Sequence, residues 1–155
     1  MSTAESQAVS RVFAGTIEAA EEAEMWIASE AGALGLGANA EFAITLCLEE
    51  LFLNAVKHGS ANRTTISVVV GSDGVTVVFV DDGAPFDPTS APARRINGRT
   101  EDFQIGGYGA GLIHKFSRSM SYCRSGSTNC VVLEFDADRN ASANANPGSE
   151  ARRAI

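Results

Sequence analysis

Residues 106–112 read Gly-Gly-Tyr-Gly-Ala-Gly-Leu, and this stretch decides the fold because two other segments accompany it. Upstream, Glu50-Leu-Phe-Leu-Asn54-Ala-Val-Lys57-His58-Gly59 closes a helical run. Between the two, Asp81-Asp82-Gly83-Ala84-Pro85-Phe86-Asp87 follows a strongly apolar strand. Glycines let backbone N–H groups approach phosphates unhindered, and a helix opening there adds unpaired N–H groups and a positive dipole end. An Asn on a helix offers Mg²⁺ a neutral, hard oxygen. A carboxylate at the end of a buried strand can accept a hydrogen bond from the adenine amino group. In that order the three segments describe an ATP site.

Composition agrees with a small soluble domain. A chain of 155 residues is enough for one core and too short for two ordinary domains. Its 45% hydrophobic and 20% charged content is a globular balance. The net charge of -7 repels phosphate backbones, so nucleic acid is not an expected partner. No apolar run approaches the ~20 residues of a membrane span. The N-terminus lacks a basic start followed by an apolar segment, so no signal peptide is expected. Cys47, Cys123 and Cys130 show no metal-like spacing. Cys47 reads as core, and Cys123 and Cys130 flank a hairpin and could approach each other. Reduced thiols in a cytoplasmic protein are the expected state.

The pattern along the chain gives the elements. Residues 9–14 alternate weakly and suggest an edge strand. Residues 16–31 suggest an amphipathic helix from Ile17, Ala20, Glu24 and Ile27, with Met25 and Trp26, and a solvated acidic face, broken by Gly32, Gly35 and Gly37. Asn39 is a candidate cap for a second helix running to His58, with Gly59 as its stop. Residues 64–70 and 75–80 are β-branched strands joined at Ser72-Asp73-Gly74, the second of them central in a sheet. Residues 84–105 carry Pro85, Pro88 and Pro92 and form a long loop of the functional or mobile kind. A helix is expected from Ala110 to about Met120, then a hairpin of 120–124 and 129–135. Residues 137–155 are polar and aperiodic, a disordered tail. The expected fold is α+β: a two-layer sandwich with a mixed, mostly antiparallel sheet and helices on one face, over residues 1–136. A Rossmann unit would place its glycines after the first strand, and a P-loop would end in Gly-Lys-Ser/Thr; neither occurs here.

Helical geometry sorts the 50–57 segment. At about 100° per residue, Glu50, Asn54 and Lys57 share one face, while Ile44, Leu48, Leu51 and Ala55 turn to the core. A carboxylate one turn before the metal-holding Asn can activate a hydroxyl near the terminal phosphate, and a Lys one turn after can contact that phosphate. Glu49 sits about 100° around the helix from Glu50, so both cannot face the same phosphate equally well. Strand alternation makes Asp81 the base reader and turns Asp82 the other way, with Gly83 letting the backbone pass close to the base.

These three motifs resemble the GHKL ATPase superfamily, which shares the Bergerat nucleotide-binding fold, and most closely its small RsbW-like anti-sigma factor serine-protein kinases. The resemblance covers about residues 8–136 and includes short size and the lack of a phosphoacceptor-histidine helix. It implies ATP and Mg²⁺ as cofactors. It implies Asn54 as the Mg²⁺ holder, Glu50 as general base, Asp81 as the adenine reader with Gly83 beside it, and Phe86 in the same motif. It implies Gly107, Tyr108, Gly109, Ala110, Gly111 and Leu112 around the phosphates, Lys57 and His58 approaching them, the 84–105 segment as a mobile ATP lid, and Thr128 reaching the adenine pocket. Tyr108 is bulkier than the residue usual there and could stack near the nucleotide or pack.

The function implied is that of a cytoplasmic, ATP-dependent serine/threonine protein kinase acting as a partner-switching regulator of transcription. It would phosphorylate a small STAS-type antagonist and hold a sigma factor or another regulator. A homodimer through the 8–14 strand and first helix is expected by the same resemblance. The alternative is a non-catalytic, nucleotide-dependent protein-binding switch, against which retention of Glu50 argues. An ATP hydrolase of the chaperone or mismatch-repair kind, or a detached sensor-kinase domain, matches this length and pattern less well.

Overall fold

The computed structural model describes residues 6–90 and 109–136. Their order is β1 (Gln7–Ala14), α1 (Ile17–Leu34), α2 (Ala38–Lys57), β2 (Arg63–Val70), β3 (Gly74–Asp81), α3 (Gly109–Phe116), β4 (Ser119–Ser125) and β5 (Thr128–Asp136). The strands form one sheet in the order β1-β2-β3-β5-β4. All four pairings are antiparallel, so the mostly antiparallel sheet expected has no parallel pair among the described residues. β1 is an edge strand and β3 the centre, as the patterns indicate, and β4 forms the other edge.

Alternation puts one face of the sheet under the helices. Ile66 and Val68 of β2, Val75, Val77 and Phe79 of β3, and Val131, Leu133 and Phe135 of β5 are all buried. Edge-on ring pairs link the layers: Phe13 to Trp26 at 5.6 Å, Phe13 to Phe52 at 6.1 Å, and Phe52 to Phe79 at 5.2 Å. Those contacts stitch β1, α1, α2 and β3 into one core.

The helices depart from expectation in four ways. In α1 the packed face is the alanine one, Ala19, Ala20, Ala23 and Ala31 with Trp26 and Ile27, whereas Ile17 and Met25 are 49% and 61% exposed. Second, Gly32 lies inside α1; the stop is Gly35, whose φ of 70° is left-handed and suits a residue without Cβ. Third, Gly37 is the N-cap of α2, in extended conformation with no side-chain cap bond, and Asn39 lies within the helix. Fourth, α3 ends at Phe116, and Met120 belongs to β4. Ser117 explains the stop: its N–H and hydroxyl both bond to Ile113 O, and the next N–H, of Arg118, pairs with Glu134 O in β5. Residues 91–105 of the expected lid and the 137–155 tail lie outside the described residues.

Candidate functional site

The inward row of β3, Val75-Val77-Phe79, ends on Asp81, which is only 6% exposed. Its neighbour Asp82 turns away, and its Oδ1 accepts from the backbone N–H groups of Asn62 at 2.7 Å and Arg63 at 2.9 Å. Those two bonds hold its carboxyl below the usual carboxylate range. Asp82 therefore fastens a loop, and Asp81 faces the site. Asp81 Oδ1 accepts from Gly83 N at 2.9 Å and from Asn129 Nδ2 at 3.0 Å.

Asn129 is a hub that the motif reading misses. It sits opposite Asp81 in the β3–β5 register and is 2% exposed. Its Nδ2 also donates to Ala84 O at 2.8 Å. Its Oδ1 accepts from Tyr122 Oη at 2.6 Å, Arg124 Nη1 at 3.1 Å and Phe86 N at 3.4 Å. Arg124 Nη1 donates as well to Gly83 O at 2.6 Å. The turn after β3 is thus held by side chains from the β4–β5 hairpin. The signal was available: counting inward from Phe135, Leu133 and Val131 lands on 129, not 128. Thr128 does not line the site; its hydroxyl donates to Ser125 O within the hairpin turn at 2.9 Å.

Helix α2 supplies the other wall. Asn54 lines it; Glu50, one turn earlier and like Asn54 buried at 9% exposure, is not among the lining residues. The end of α2 is joined to the turn after β3 by Ala84 N donating to Gly59 O at 2.8 Å. The join is so close that a Cβ on Gly83 would lie 2.8 Å from Gly59 O. A Cβ on Gly59 would lie 2.9 Å from Ala55 O, so the end of α2 itself calls for the glycine expected as its stop, with His58 as the C-cap. The His58 ring stacks on Phe86, centroids 5.0 Å apart and planes 8° off parallel.

Between these walls lies a pocket. Leu51, Ala55, Phe79 and Val131 make it apolar, Asn54, Asp81 and Asn129 are its polar groups, and Gly59, Ala84, Phe86 and Pro88 complete its lining. An apolar slot with a few converging polar groups is the usual form of a small-molecule site. The structure brings Asn54, Asp81 and Phe86 to this pocket, with Gly83 in the turn at its edge. Lys57 and His58 are exposed and do not line it. Gly109 and Ala110 open α3, followed by exposed Gly111 and half-buried Leu112. Gly107 and Tyr108 lie outside the described residues.

Glu50 is chemically unusual. Its Oε2 is buried with no hydrogen-bond partner among the described residues. Burial, then the nearby Glu49 charge, push its proton affinity up, and Lys57 pulls it partly back. Cys47, one turn earlier, has its thiol pushed up to about 12 by burial and by the Glu50 charge. A carboxylate with a free oxygen and raised proton affinity is suited to take a proton from a hydroxyl. The Asn54 side chain likewise makes no hydrogen bond to another described residue, which leaves its amide oxygen for a cation.

A family model described as the histidine kinase-like ATPase domain matches residues 13–135. The serine/threonine-protein kinase BtrW of Bordetella bronchiseptica is 29% identical over 122 residues, covering 76% of this chain and 86% of that one. Among solved structures, a Mycobacterium tuberculosis protein carrying RsbU and RsbW domains matches with a TM-score of 0.61 at 12% identity. That match covers 84% of this chain and 32% of the other, so this chain spans about a third of it. With the family model spanning both walls of the pocket, the chain belongs to the histidine kinase-like ATPase domain family.

Proposed function

We propose that this protein is an Mg-ATP-dependent serine/threonine protein kinase of the partner-switching kind, with a small STAS-type antagonist as substrate and a sigma factor or similar regulator as its alternative partner. The observation that carries the reading is the buried carboxylate oxygen of Glu50, without a hydrogen-bond partner among the described residues and one helical turn from the pocket-lining Asn54. A buried carboxylate without a partner costs stability, so it is retained for chemistry. The same observation disfavours a switch that binds nucleotide without transfer.

In this reading Asp81 accepts a hydrogen bond from the adenine amino group, a contact that guanine, with a carbonyl there, cannot make. Asn54 fits Mg²⁺ through its amide oxygen, and the ion when bound neutralises phosphate charge. The N–H groups at the start of α3 are unpaired by helix geometry and receive phosphate oxygens. Glu50 Oε2 takes the proton of the acceptor serine hydroxyl as its oxygen attacks. Positioning and charge neutralisation supply the rest, as is general for phosphoryl transfer. A cytoplasmic homodimer is part of the proposal.

The test is transfer of label from γ-labelled ATP to a STAS-domain protein with an acceptor serine, encoded beside this gene. The expected result is one phosphoserine, abolished by Ser→Ala in the antagonist. Mg-ATP binding without transfer to that protein would leave the non-catalytic switch as the correct reading.

A further inference from the structure

On the open face of the sheet, Cys123 of β4 and Cys130 of β5 are direct cross-strand partners. Cys123 is exposed, Cys130 is half-buried, and both are free thiols. Directly paired residues in an antiparallel ladder have Cα atoms about 4.5–5.5 Å apart, inside the roughly 4.4–6.8 Å window of a disulfide. Their Cβ atoms, about 4.5–5.5 Å apart in such a pair, must close to about 3.8 Å. A bond here therefore draws the edge strand β4 inward on β5.

The adjacent register pair is Arg124 and Asn129, the two side chains that hold the turn after β3. Arg124 Nη1 grips Gly83 O at 2.6 Å, and Asn129 grips Asp81 and Ala84. The thiols lie on one face of the hairpin and the grip on the other, one residue away. We infer that Cys123 and Cys130 are a dithiol modification site, oxidised by peroxides to an intramolecular disulfide that loosens the turn carrying Gly83 and Ala84. This deepens the nucleotide reading, because that turn borders the Asp81 pocket.

The chemistry balances with a peroxide as oxidant. The exposed Cys123 sulfur, as thiolate, attacks one peroxide oxygen; the O–O bond breaks, giving a sulfenic acid and a hydroxide that takes up a proton. The Cys130 sulfur then attacks the Cys123 sulfur, the S–O bond breaks, and the hydroxide leaves with the Cys130 proton as water. Two thiols lose two protons and two electrons, and hydrogen peroxide becomes two waters. Cys47, buried with its thiol pushed up to about 12, stays reduced.

The full chain treated with hydrogen peroxide is mapped by mass spectrometry without reductant, and its amide exchange is followed with no nucleotide present. The expected result is one Cys123–Cys130 bridge, reversed by dithiothreitol. Exchange in the 81–86 peptide becomes at least several-fold faster in the bridged form, and the Cys123→Ser and Cys130→Ser variants show no such change. Oxidation that stops at a sulfenic or sulfinic acid, links two chains, or leaves 81–86 exchange unaltered overturns the proposal. Mg-ATP affinity, measured on the same samples, should fall several-fold on oxidation and recover on reduction. A reduced protein that binds no Mg-ATP overturns the nucleotide reading alone, since the bridge and the exchange are read without it.

Discussion

Asn129 donates its amide to the buried Asp81 carboxylate at 3.0 Å from the register position directly across the β3–β5 ladder. With Gly83 N on the same oxygen at 2.9 Å, Oδ1 is occupied, and Oδ2 has no hydrogen bond among the described residues. The pair therefore fixes the plane of the carboxylate and leaves free the oxygen that the proposed function assigns to the adenine base. Asn129→Ala removes that brace, leaves the buried Asp81 without its amide donor, and frees partners in the turn after β3 and in β4. The expected cost is about 1–3 kcal/mol in unfolding free energy, with an Mg-ATP affinity roughly tenfold weaker. Urea denaturation and calorimetry read the two effects, and a loss of stability with unchanged affinity would remove Asn129 from nucleotide recognition.

Asp81→Asn keeps the shape of the side chain and its acceptor for Gly83 N and Asn129, but puts an NH₂ where the free oxygen stood. That group opposes the adenine amino donor and suits the guanine carbonyl. ATP affinity should fall at least tenfold while the preference for ATP over GTP shrinks. Competition between the two nucleotides measures this, and an undiminished preference for ATP would mean that Asp81 does not read the base.

Two glycines should respond oppositely to alanine. A Cβ on Gly83 meets Gly59 O at 2.8 Å and Asp81 Oδ1 at 2.9 Å, with backbone on one side that cannot yield cheaply. Gly83→Ala should lose about 1–3 kcal/mol. A Cβ on Gly111 meets nothing within 4 Å among the described residues, and alanine is the better helix former by about 1 kcal/mol. Gly111→Ala should raise the melting temperature and lower Mg-ATP affinity, since packing among the described residues gives no reason for a glycine there. A variant that is stabilised and binds as the wild type does would show that phosphates do not approach residue 111.

The sequence was legible where a local period or motif governs. Alternation in Val75-Val77-Phe79 was enough to separate Asp81 from Asp82, and the β-branched runs marked the strands. It was not legible where the answer depends on another element's surface. The rotation of α1, which buries its alanines and exposes Ile17 and Met25, depends on what the rest of the core receives, which no count within residues 16–31 reveals. Asn129 carried no motif, and its importance appears only when the β3–β5 register sets it against Asp81. His58 reads as a phosphate contact in the resemblance, yet its ring is engaged with Phe86 from the loop after β3. Motifs report what a ligand needs; these braces report what the protein needs in order to hold the motifs.

At Glu50, stability and activity should move in opposite directions. Burial and the Glu49 charge raise its pKa above the ordinary 4.5. For a carboxyl raised in the folded state, the favourable contribution is present below the unfolded value and is lost as pH rises through the folded one. The ionised side chain therefore weighs against folding at neutral pH, and its Oε2 has no partner among the described residues to offset that. Glu50→Gln removes the charge and should stabilise the protein at pH 7 by on the order of 1 kcal/mol. The gain should fade as pH falls through the raised folded-state value toward the ordinary 4.5. Mg-ATP binding should persist, because Asn54 and Asp81 are untouched. Phosphoryl transfer should fall by about 10²–10⁴-fold, the usual contribution of a positioned base. Melting curves across this pH range and single-turnover transfer assays measure both. A Glu50→Gln variant that transfers at the wild-type rate would assign the proton to another acceptor, whereas one that gains no stability at neutral pH would mean that Glu50 is neutralised in the folded chain.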